Sequence, residues 1–295
     1  MDRVSIALLR GICQLPAYVA HEQGLFAEHE IESHLEILPT AWVVPERLLR
    51  GDFQFAVMPW TRVAAASSRG EDLVVICGSG HEEAAIVVRQ GLDLNDVQTL
   101  AVPQEGGIKD LTAQALVQSL GWHNRRKLRM PSGDGAILAF VGQAADAASM
   151  VEPYATMLVE QGLGTVVRRT GDLWPGAPGC SLTTTRRMID EQPDLVRRVV
   201  AAFVQGATAT HRHPATAAAI AEPYIGVHQR HILAALANNQ PRVESLHSRA
   251  AMDAILSLMH NLGYLDFPPG NFLELSFLRE TSATAQQSQA AIASV

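Results

Sequence analysis

Apolar residues recur along this chain in short runs, and stretches with apolar positions at helical spacing separate the runs. Val4–Leu9, Ser33–Leu38, Phe53–Met58, Leu73–Cys77 and Ala84–Arg89 read as strands. Ala17–Gln23, Pro45–Leu49 and Arg62–Ser67 read as the helices between them. Strands alternating with helices predict a parallel sheet. The rhythm restarts at Thr99. Thr99–Pro103, Lys127–Met130, Ala145–Met150 and Thr165–Arg169 read as strands, with helices over Leu111–Leu120 and Asp134–Val141. The last third is helical: Arg186–Glu191, Pro193–His211, Pro214–Tyr224, His228–Ala237 and Ser248–Leu262. The tail, 281–295, is rich in Ala, Gln and Ser and is expected to be flexible.

Two α/β units in series with a returning helical end predict two lobes. Residues 1–88 with 176–295 form the first and 89–175 the second, with hinges near Arg89–Gln90 and Val167–Gly171. A cleft between such lobes is the default ligand site, because open α/β sheets bind ligands beyond the carboxyl ends of their strands.

The bulk numbers narrow the function. The chain has 295 residues, 47% hydrophobic and 18% charged, enough to bury a core in two lobes. A net charge of −7 argues against a nucleic-acid partner. No apolar run nears the roughly 20 residues of a membrane helix, so no membrane insertion is expected. The first strand begins within about three residues of Met1, which leaves no room for a secretory leader. The chain as written is therefore expected in the cytoplasm, or in the periplasm if a leader has been removed. Three cysteines, Cys13, Cys77 and Cys180, are too few for a disulfide framework. Cys77, within "LVVICGSG", reads as a small buried hydrophobe.

The strand ends supply the candidate chemistry. In the first lobe they are Gly11–Gln14, Pro39–Trp42, Met58–Thr61 and Ser79–His81. In the second lobe Gly106 and Gly107 free backbone N–H groups ahead of a helix, a plausible anion-binding end. Asp134 reads first as a helix N-cap. Trp42 and Trp60 offer aromatic faces to a flat or cationic ligand. Arg10, Arg62, His81 and Lys109 suit an anion, whereas Glu105, Asp134 and Glu152 oppose one. Both signs leave an oxyanion and an aromatic heterocycle open, with the tryptophans and Glu152 tilting toward a ring. The ligand set is Cys13, Gln14, Thr40, Trp42, Trp60, Thr61, Ser79, His81, Gly106, Gly107 and Glu152. No metal and no cofactor are expected.

Three stretches carry a family resemblance. "LPAYVAHEQGLFAEHEIESHLEIL" resembles the opening of type 2 solute-binding proteins of the nitrate/sulfonate/taurine and thiamine-precursor branch, through Pro16, Tyr18, Ala20, Gly24 and Phe26. "LLRGDFQFAVMPWTRVAAASSRGEDLVVICGSG" is similar to that family's next block. "AFVGQAADAASMVEPYATML" resembles its second-lobe signature. The likeness runs from about Val4 to Leu265. It implies a type 2 periplasmic-binding-protein-like fold with the ligand cleft between lobes, closing about a hinge. It also implies a monomer that binds a small molecule and passes it to an ABC permease.

The same scaffold resembles two kinds of enzyme. Aromatic sulfinate desulfinase uses a first-loop cysteine, near which Cys13 falls. Cys13 is then a candidate nucleophile with His81 as its base, although His81 stands where that enzyme has an arginine. The fungal-type pyrimidine synthase has a Cys-rich segment, which this chain lacks, and that role is rejected. A cytoplasmic sensor that regulates a partner is the remaining alternative.

Overall fold

A computed structural model of the chain describes residues 1–283. Ten strands lie among them: β1 (Asp2–Leu8), β2 (Ile31–Ile37), β3 (Phe55–Pro59), β4 (Leu73–Gly78), β5 (Ala84–Arg89), β6 (Thr99–Val102), β7 (Arg126–Arg129), β8 (Ala147–Val151), β9 (Gly164–Arg169) and β10 (Cys180–Thr185). They form two five-stranded sheets, ordered β2-β1-β3-β10-β4 and β7-β6-β8-β5-β9. Within each sheet the pairs made by its leading strands are parallel, β1 with β2 and β3, and β6 with β7 and β8. Each sheet also takes in one antiparallel strand, β10 in the first and β5 in the second.

Those two strands are where the chain has crossed from one sheet to the other. It leaves β4 through 79–83 to reach β5, and leaves β9 through 170–179 to reach β10. The two crossings run side by side. Gly80 N–H donates to Cys180 O (2.9 Å), Gly179 N–H to Gly80 O (2.9 Å), and Glu82 N–H to Ala177 O (2.8 Å).

This moves the first lobe's edge, and the expected hinge at Arg89–Gln90 falls outside both crossings. β5 hydrogen-bonds β8 and β9, so 84–88 stands in the second sheet, and Arg89–Gln90 lies at the far end of that sheet. The reason is burial on both faces. A continuous apolar run fits the centre of either sheet, and its pattern cannot say which.

The first sheet is sandwiched. On one side the helix Leu15–Glu22 packs against the long helix Pro193–Arg212. Gly206 makes that approach possible, since a Cβ there would lie 2.1 Å from Pro16 O. On the other side Trp60, Phe53 and Met58 share a core with Met252, Ile255 and Met259 of the helix Arg249–Asn261. The second sheet has its own core of Ile86, Val88, Leu100, Val102, Leu116 and Trp122. The C-terminal helices bind both halves: Tyr154 Oη donates to Ile225 O (3.2 Å), and buried His231 meets Glu160. Residues 276–283 are helical, and the rest of the tail, 284–295, lies outside the described residues. No helix among the described residues is long and apolar enough to cross a membrane.

Candidate functional site

The carboxyl ends of both sheets face one cavity. It offers about 80 Å³ to the centres of water-sized molecules, several times what one water needs.

From the first sheet, β1 ends in the loop that carries Cys13 and Gln14. Leu9 N–H donates to Gln14 Oε1 (3.2 Å), Tyr18 Oη donates to Leu9 O, and Gln14 Nε2 donates to Cys13 Sγ (3.1 Å). Ser79, on the first crossing, donates from its hydroxyl to Cys13 O. These bonds fix the thiol at the cavity floor. Cys180 and Glu83, one from each side of the paired crossings, stand beside it. Both sulfurs and a Glu83 carboxylate oxygen lie within 4.8 Å of one another, and all three residues are buried. Burial pushes the Glu83 carboxyl up, and burial together with Glu83 pushes the Cys13 thiol up.

The second sheet contributes donors. β6 ends at Val102, and the helix Ile108–Ser119 starts after Gly107 with no side-chain cap, so its first N–H groups have no side-chain acceptor. β7 ends before the helix Gly133–Val141, capped by Ser132 (Gly135 N–H to Ser132 Oγ, 3.0 Å). Lys109 reaches into the cavity next to Gly133, where an added Cβ would meet its Nζ at 2.5 Å. Burial pushes the Lys109 ammonium down, against the opposing pull of Asp134 and Glu83. Arg62 comes from the first sheet's side, and burial takes it down to about 10. Its Nε is buried without a hydrogen-bond partner.

Contacts across the cleft hold the two halves together. Thr40 Oγ1 donates to Gln104 Oε1 (3.1 Å), Thr61 Oγ1 to Gly106 O (2.9 Å), and Arg62 Nη2 to Glu105 O (2.9 Å). Ile12 N–H donates to Glu152 O (3.1 Å), and Arg10 pairs with Asp134 at 2.8 Å.

Of the residues expected from sequence, the structure lines the cavity with Cys13, Gln14, Thr40 and Gly107, together with Arg10, Arg62, Lys109 and Asp134. Ser79 and Thr61 lie one layer behind, tying loops together. Gly106 adopts a left-handed turn (φ 78°) and opens to an outer groove with Trp42, which is 55% exposed beneath the Arg62 guanidinium.

Three expectations are corrected. Trp60 is fully buried, stacks on Phe272 and donates its indole N–H to Pro178 O (2.9 Å), so it offers no face to a ligand. Glu152 turns its carboxylate away to Arg169 (2.7 Å) and Thr156 N–H (3.0 Å). His81 meets Gln240 O through Nδ1 (3.2 Å) and does not line the cavity, so it is no base for Cys13. Glu83 and Cys180 were missed. The acidic pair in "GHEEAA" and the second thiol were the available signals, but only the paired crossings bring them to Cys13.

Two sheets, two crossings and a shared cavity define the periplasmic-binding-protein fold. The chain is similar to the ligand-binding component of an ABC-type import system from Staphylococcus aureus with zinc bound (TM-score 0.83, 15% identity, covering 95% of this chain and 99% of that one). It is similar to the alkanesulfonate-binding protein SsuA from Xanthomonas axonopodis pv. citri bound to MOPS (0.79, 17%, 94% and 99%). It is also similar to the periplasmic nitrate-binding protein NrtA from Synechocystis PCC 6803 (0.80, 12%, 96% and 89%). No curated protein sequence matches the chain. The profile of the NMT1-like family matches residues 2–225, and the chain belongs to that family.

Proposed function

We propose that this chain is a solute-binding component of an ABC-type importer, that it closes on a small organic anion, and that it hands the anion to a permease. One observation carries the reading. The Lys109 ammonium, the uncapped start of the helix Ile108–Ser119 and the unpartnered Arg62 Nε belong to one cavity. A half-buried cation and helix-start N–H groups together favour an anion, and each gains strength from exclusion of water. The sulfonate and nitrate ligands of the similar proteins have this charge. The lobes of this reading divide at 79–83 and 170–179, and closure turns on those paired crossings. The ligand residues are Cys13, Gln14, Thr40, Arg62, Gly107 and Lys109. The protein acts as a monomer, in the periplasm if a leader has been removed.

Thermal unfolding with a panel of small ligands tests this. Sulfonates and carboxylates should raise the melting temperature in a concentration-dependent way, because a ligand that binds only the folded state stabilises it. Amines and neutral amides should not. Stabilisation by the amines alone would remove the reading.

A further inference from the structure

The cavity floor poses a problem that an anionic solute does not solve. Glu83 is 5% exposed, and no Lys, Arg or His among the described residues forms an ion pair with it. A buried carboxylate with no cation in ion-pair contact is costly, so such groups are normally paired or bind a metal. The chain also keeps room for it. A Cβ on Gly80 would fall 1.5 Å from Glu83 Oε1, and one on Gly179 would fall 2.2 Å from Glu83 Cδ. Any side chain at either position would displace the carboxylate. Cys180 N–H donates to Oε1 (2.8 Å) and aims the group, while Gln14 Nε2 and the Ser79 hydroxyl hold Cys13 from behind.

We propose that Cys13 Sγ, Cys180 Sγ and the Glu83 carboxylate form a binding site for a borderline-to-soft divalent cation of the zinc class, with its open coordination position facing the cavity. The donor atoms lie within 4.8 Å of one another, a spread that encloses the separations of about 3.6–3.8 Å around a tetrahedral zinc with two sulfur ligands and one oxygen. Two thiolates select zinc, cadmium or cobalt over the hard cations magnesium and calcium. Binding takes the two thiols and the carboxyl in their deprotonated forms, and the protons they carry are released to solvent. Lys109 stands close enough to offset part of the resulting negative charge. Three protein ligands leave the fourth position to water or to a donor atom of the bound solute. The site is new to the folded chain, since its ligands come from the first loop and from both crossings.

The test uses the reduced full-length protein and the metal ion alone, with no solute, so its outcome is independent of whether the cavity takes an anion. Cobalt(II) titration should give a thiolate-to-metal charge-transfer band that saturates at one equivalent and is bleached by zinc. Cys13→Ser and Cys180→Ser should each cut the band by about half or abolish it, since each removes one of the two thiolate ligands. Glu83→Gln should weaken zinc by at least about tenfold in chelator competition, while apo unfolding stays cooperative. Cys77→Ala, which changes a thiol buried on β4, should leave both readouts unchanged. If Cys180→Ser does not fold, Cys13→Ser and Glu83→Gln carry the decision. Absence of the charge-transfer band in the reduced wild type would overturn the site, as would a band that survives intact in Cys13→Ser.

Discussion

The two walls of the cavity are built from opposite materials. On the first sheet's side the chain brings side chains: two thiols and a carboxylate, buried where the crossings pair. On the second sheet's side it brings backbone: a helix start without a cap, a second helix start beside it, and one lysine. A helix N-terminus gives many weak donors from fixed geometry, so that wall suits an oxyanion and tolerates changes of side chain. A cluster of side chains gives few strong donors, and one substitution destroys it. One cavity can therefore hold opposite charges on its two sides without their cancelling, provided the two walls come from different halves of the chain.

The largest effect concerns what supports the first wall. Trp60→Ala should lower stability by about 3–5 kcal/mol in denaturant unfolding, the scale for a buried tryptophan. The refolded fraction should keep its affinity for a bound anion. A small loss of stability with a large loss of affinity would return Trp60 to the cavity.

Second in size is the contrast between the walls themselves. Lys109→Met should weaken an anionic ligand by about 2 kcal/mol, roughly thirtyfold, because it removes the cavity's lysine cation opposite the ligand's charge. Cys13→Ser should weaken the same ligand by at most about 1 kcal/mol, the scale of one modest contact. Calorimetric titration of both variants checks the order, and a reversed order would break the comparison. Smaller still is the clasp at the mouth. Arg10 and Asp134 are 44% and 40% exposed, so Arg10→Ala should cost binding no more than about 1 kcal/mol, in keeping with other exposed pairs. Its loss should appear instead in scattering, as a larger radius of gyration of the unliganded protein. Last, Trp42→Ala should change stability by less than about 0.5 kcal/mol, as expected of an exposed residue outside the core.

The sequence reading reached the elements and most of the first wall's loop. Alternating periods of 2 and 3.6 distinguish strands from helices wherever one face is polar, as in the strand at Ser33–Leu38 and the helix at Pro193–His211. At Ala84–Arg89 the strand was legible but its sheet was not, because both faces are buried and nothing marks the sheet. Strand ends pointed to Cys13, Gln14, Thr40 and Gly107, all of which line the cavity. They could not tell Trp42 from Trp60, since both follow a strand. Residue 60 starts a helix whose first turn points into the core, and residue 42 sits on an exposed 3-10 turn. They also could not choose among the acidic residues. Glu152 and Glu83 each stand beside a strand end, but Arg169 draws the first away and only the crossing at Gly179–Cys180 draws the second in.

An anion-selective cavity is tested most directly by the charge of what binds. Equilibrium titration should be run at one ionic strength with a small sulfonate and with its uncharged sulfonamide, on wild type and on Lys109→Met. Wild type should prefer the sulfonate by at least about tenfold, the lower end expected for a close charge pair, and Lys109→Met should lose most of that preference. Equal binding of the two compounds by wild type, or a preference untouched by Lys109→Met, would contradict it.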